Sequence, residues 1–126
     1  MSDLQPKGIS ITIGGVERHL LFTLAAVDEI QAEYGEPVSE VIRMMADDEQ
    51  VSAVAFRLIY ILVNDEIARQ RHFDGSDEAL ITEQELKWMI TIHDIPDLVG
   101  AILQAYGISL PETEEDEDPN AMSRSN

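Results

Sequence analysis

The side chains best suited to chemistry in this chain are three histidines, His19, His72 and His93, and a large supply of carboxylates. A helical metal site needs two ligands at i,i+3 or i,i+4, so that both reach one ion from the same face. No two of the histidines have that spacing. The stretch DGSDEALITEQE comes nearer to a metal-binding pattern: with Asp74 at position 1 of a calcium loop, Ser76, Glu78 and Glu85 fall at positions 3, 5 and 12, and Ile81 at 8, where positions 1, 8 and 12 suit such a loop. The sharp turn of such a loop requires glycine at the position Ala79 occupies, and Gly75 stands where it does not help. These acids read instead as a loop leading into a capped helix. The chain has no cysteine, which excludes disulfides, thiolate metal sites and thiol nucleophiles. Neither a Gly-x-Ser-x-Gly elbow nor a phosphate loop occurs. Asp28 with Glu29, and Asp65 with Glu66, are paired carboxylates, but acid–base work needs burial to separate two pKa values. Both pairs are expected on solvated helix faces. The expectation is a non-enzymatic protein that uses no cofactor and no metal.

Charge narrows the partners. The 126 residues carry 25 acids against 8 bases, a formal net charge of -17. Residues 112–126 hold six acids and one base, so -12 of that charge belongs to the rest of the chain. A body this negative repels nucleic-acid phosphates and anionic lipid. The acidic run from Glu112 to Asp118 has no apolar periodicity and is expected to be a disordered tail over 112–126, leaving 1–111 as one small domain. The start MSDLQPKG lacks the basic and apolar regions of a signal peptide.

Against this acidity stands VAFRLIYILV, Val54 to Val63, in which Arg57 is the one non-apolar residue. The apolar stretch reaches at most from Val51 to Val63, and a membrane-spanning helix needs about 20 such residues. At helical spacing Val51, Ala55, Leu58 and Leu62 form one stripe, while Phe56, Tyr60, Val63 and Ile67 form a second, with Arg57 and Asn64 on a flank. A helix apolar on most sides is usually buried all round. Either both stripes are core, or the Phe56, Tyr60, Val63, Ile67 stripe is partly open and receives another chain.

The elements around this helix have clear signals. ISITI alternates as a half-buried strand, Gly14-Gly15 supplies a primed turn, and VERHLLF returns as a second strand ending near Phe22. Thr23 is the N-cap of a helix whose apolar positions are Leu24, Val27, Ile30 and Tyr34, closed by Gly35. Pro37 opens a short second helix with Val38, Val41, Ile42 and Met45, and the third helix is expected from about Asp48 to Arg71. Thr82 and Glu85 form a capping box for a fourth, with Leu86, Met89 and Ile90 inward and Trp88 beside them. Pro96 begins a fifth, with Leu98, Val99, Ile102 and Ala105 as its apolar face and Gly107 at its end. The fold expected is mainly α (α+β): an N-terminal β-hairpin followed by about five helices around a central apolar helix.

The segments ISITIGGVERHLLFTLAAVDEIQAEYG and ITEQELKWMITIHDIPDLVGAILQAYG, with the acidic tail after them, resemble the tail assembly chaperones of long-tailed phages and prophages. The likeness runs over most of residues 8–118 and lies in the order of elements. It implies a protein that acts in the host cytoplasm, is left out of the mature virion and has no catalytic residues. Its implied partner is the tape measure protein, which such chaperones coat before the tail tube polymerises. Tail tube protein is a second candidate partner, and homo-oligomerisation stays open. Two other functions fit the acidity: a DNA mimic that inhibits a basic protein, such as an anti-restriction factor, and a structural tail or head-completion protein.

Overall fold

The computed structural model describes residues 7–110; the tail expected over 112–126 lies outside the described residues. The element order is β1 (Ile9–Ile13), β2 (Val16–Leu20), α1 (Leu24–Tyr34), α2 (Val38–Met44), α3 (Val51–Phe73), α4 (Glu83–Met89), a 3-10 turn (Ile92–Asp94) and α5 (Ile95–Ser109). The chain therefore has the expected hairpin-then-helices architecture, with α3 at its centre.

β1 and β2 pair antiparallel, with Ile13 opposite Val16 and Ile9 opposite Leu20. Gly14 and Gly15 both have positive φ, 60° and 79°, the backbone that a two-residue primed turn demands. Cross-strand partners share a face. Ile9, Ile11 and Ile13 accordingly stand with Val16, Arg18 and Leu20, while Ser10, Thr12, Glu17 and His19 stand on the other side. β2 lies against α3, and β1 against α5.

Thr23 caps α1 by accepting from the Ala26 N–H at 3.1 Å, and Gly35 closes it in the left-handed conformation. The inner face of α1 is Ala26 and Ile30, with Val27 and Tyr34 half-buried. Leu24, expected inward, is exposed: it lies about 120° round the helix from Ile30. α2 buries Val41, with Met45 just past its end. α3 runs two residues past the expected Arg71, to Phe73, and buries nine side chains, among them Leu58, Ile59, Leu62 and Ile67. Each fully buried leucine or isoleucine contributes about 1.5–3 kcal/mol, so this one helix organises the core. α5 buries Leu98, Ala101, Ile102 and Ala105, and it continues through Gly107 to Ser109. No helix among the described residues is long and apolar enough to cross a membrane.

Candidate protein-interaction surface

The second stripe of α3 divides in two. Val63 and Ile67 are sealed in the core, 1% and 0% exposed, which corrects the expectation that all four residues could meet a partner. The reason is position along the helix: in the stretch Ile61–Ile67 five of seven residues are buried, with Asn64 and Asp65 half-buried on the flank. Phe56 and Tyr60, one to three turns earlier, are only partly covered. Their rings stack at 6.4 Å between centroids and 15° between planes.

Two cations stand on this aromatic pair. The Arg57 guanidinium is 5.2 Å from the Tyr60 centroid and 6.0 Å from that of Phe56. Lys87 of α4 places its ammonium 5.8 Å from the Phe56 ring. Each such contact contributes about 0.5–1 kcal/mol where solvent reaches it. Both cations are balanced by acids. Arg57 Nη2 donates to Glu83 Oε2 at 3.0 Å, Arg57 Nε is 3.8 Å from Glu33 Oε2, and Lys87 Nζ is 3.7 Å from Glu83 Oε2. Tyr34 borders the same surface hollow, which has a volume near 420 Å³. Burial raises the Tyr34 phenol above its ordinary value of 10.0, Arg57 opposing and Glu33 adding, so at neutral pH it is a neutral O–H. Two acids and two bases thus surround a pair of aromatic faces. This is a charge-balanced shelf on a strongly acidic body, and an apolar partner can cover it without burying net charge.

The flank of α3 carrying Arg57 and Asn64 is closed by the segment before α4. Asn64 donates to the Ile81 carbonyl at 2.9 Å and accepts from the Ile81 N–H at 2.8 Å. Immediately after, Thr82 and Glu85 complete the expected capping box. Of the inward residues expected on α4, only Leu86 is fully buried; Met89 is partly open, and Trp88 is 78% exposed. Trp88 stands two residues beyond Leu86, about 200° round the helix, so with Leu86 fixed inward Trp88 turns out.

Carboxylates expected in solvent are not all there. Glu66 is 4% exposed and accepts from the His19 backbone N–H at 2.9 Å and stands 2.7 Å from His19 Nδ1. Asp65 accepts from Thr23 Oγ1 at 2.9 Å and from Arg69 Nε at 3.0 Å. The expectation failed because the end of α3 packs against β2 and the α1 cap, which cover the face carrying both acids. A carboxylate on Nδ1 orients an imidazole as acid–base sites do. Here, however, His19 Nε2 faces Glu17 at 3.5 Å, and the Ser10 hydroxyl donates to the same Glu17 carboxylate. No hydroxyl among the described residues hydrogen-bonds to the ring. Among the described residues no group of His, Asp or Glu converges as a metal site.

Sequence reasoning also missed Arg18. It is 5% exposed and forms a fork with Glu78, Nη2 to Oε2 at 2.7 Å and Nη1 to Oε1 at 3.3 Å. The acid from the apparent calcium loop is thus spent on a strand arginine. Strand alternation carried the signal, since Val16, Arg18 and Leu20 must share a face. Glu66 was signalled too, four residues beyond Leu62 on the first stripe of α3. No protein-family model, curated protein or solved structure matches this chain at a significant level.

Proposed function

We propose that this protein is a non-enzymatic docking protein, a tail assembly chaperone that holds a long helical tape measure protein before the tail tube forms around it. The observation that supports the reading is the charge-balanced Phe56–Tyr60 shelf on a body carrying a large negative charge. Stacked aromatics at an interface centre tend to supply much of its energy. A helix of the partner covers the two ring faces, and the acidic remainder of the surface keeps bound chaperones from associating with one another. The resemblance in element order adds the partner's identity to this reading, with tail tube protein as a further partner.

Co-expression with a candidate tape measure protein, followed by affinity capture, tests it. Phe56→Ala with Tyr60→Ala should lower capture by roughly a hundredfold, the scale of a central pair of interface residues. Lys87→Glu unbalances the shelf without removing packing and should weaken capture too. Circular dichroism must show both proteins folded. Undiminished capture by folded variants contradicts the reading. A DNA-mimic inhibitor, by contrast, would bind a basic protein through its acids, and that binding would collapse as salt rises.

A further inference from the structure

β2 and β1 treat their outer edges differently. In an antiparallel pair, alternate residues point their N–H and C=O away from the ladder. The two-residue turn makes Ile13 and Val16 a hydrogen-bonded pair, so His19 and Glu17 point outward from β2, and Ser10 and Thr12 point outward from β1. The His19 N–H does leave the ladder, to be taken by the buried Glu66 carboxylate. On the β1 side, Ser10 and Thr12 have no further backbone partner among the described residues. At Thr12 this edge instead borders a cleft of about 430 Å³. Ile11, Ile13 and Thr12 form one wall; Met89, Ile90 and Leu98 form the other. Two carboxylates, Asp94 and Asp97, complete the lining. Neither makes an ion pair with any described residue, and Asp94 uses one oxygen to accept from Thr91 N and Oγ1.

We infer that the free edge of β1 and this cleft form a strand-docking site for an extended partner segment whose cleft-facing side chains, every second residue, include both apolar and basic ones. The partner's backbone continues the sheet at Ser10 and Thr12, in the manner of strand addition. Its cleft-facing side chains enter between the hairpin and the start of α5, where the basic ones among them meet Asp94 and Asp97. Charge selects this occupant. The acidic run Glu112 to Asp118 would place carboxylates on carboxylates, and a second copy paired through β1 would bring both sets of Asp94 and Asp97 to one seam. The site shares no residue with the Phe56–Tyr60 shelf and does not depend on the function proposed for it.

The test is a titration of the full, isotope-labelled chain with an octapeptide that carries valine and lysine in turn at every second position and serine between them, followed by amide NMR. Saturable shifts are expected at Thr12, Met89 and Leu98. The same peptide N-methylated on alternate residues, which cannot pair with a strand edge, should bind about tenfold more weakly or worse. The same octapeptide with glutamate in place of lysine should not bind. Thr12→Pro removes only an outward N–H, which an edge strand tolerates, and should weaken the lysine peptide about tenfold. Asp97→Asn should weaken it about threefold and flatten its salt dependence. If Thr12→Pro disrupts the hairpin, the N-methylated peptide still decides. Equal binding of the N-methylated or the glutamate peptide overturns the inference, as do shifts confined elsewhere, no binding at all, or pairing of the free chain with itself through β1.

Discussion

Glu66 ties α3 to β2 through one carboxylate: it is buried in α3, accepts from the His19 backbone N–H of β2 and holds the His19 ring. Replacing it with alanine strands a buried N–H and an imidazole. Glu66→Ala is expected to cost about 2–4 kcal/mol, read as a lower urea midpoint with an unchanged slope. Glu78 has a different signature. Its hydrogen bonds from Arg18 hold its carboxyl below the ordinary value of 4.5. A depressed acid stabilises the fold fully above its unfolded value and loses that contribution as pH falls through the folded one. Between neutral pH and about pH 5, wild-type stability should therefore be insensitive to Glu78 protonation, and it should fall on further acidification. Glu78→Gln should flatten that acid limb. An acid limb identical to wild type would contradict the role given to the Arg18 fork. Glu66 and Arg18 were within reach of sequence reasoning, because residue periodicity places Glu66 on a buried stripe and Arg18 on an apolar strand face. What periodicity lacks is the partner: His19 and Glu66 are 47 residues apart, and Arg18 and Glu78 are 60 apart.

At the scale of elements, α4 governs the shelf. It has seven residues, too few to be stable alone, and depends on its cap, on buried Leu86 and on the ion pair between Glu83 and Arg57. Thr82→Ala removes one capping bond and should cost about 1 kcal/mol. Because α4 carries Lys87, the loss should appear as faster hydrogen exchange in Glu83–Met89 while α3 stays protected. Uniformly faster exchange would mean that α4 is not a separate unit. The hairpin, the caps at Thr23 and Thr82, the left-handed Gly35 and the Pro96 helix start were all legible, since each is dictated by local backbone chemistry. The facing of Leu24 and Trp88 was not. On short helices a few apolar residues fit more than one stripe, and tertiary packing chooses between them.

For the whole molecule, the contrast between bulk charge and the shelf is what gives the surface its meaning. A body at -12 outside residues 112–126 favours repulsion from most cellular polyanions and from copies of itself. At the shelf, Glu33 and Glu83 offset Arg57 and Lys87 around two aromatic rings. Sequence periodicity put Phe56, Tyr60, Val63 and Ile67 on one stripe, but could not separate the half-buried Phe56 and Tyr60 from the sealed Val63 and Ile67. That division follows from which neighbours cover each turn, a property of the assembled fold. The most direct measurement is capture of co-expressed tape measure protein across a salt series, with wild type beside the folded Phe56→Ala, Tyr60→Ala double variant. The account predicts that wild-type capture largely persists from about 0.1 to 1 M salt, because its contact is apolar, and that the double variant captures little at any salt. Wild-type capture that vanishes as salt rises, or a double variant that captures as well as wild type, would contradict it.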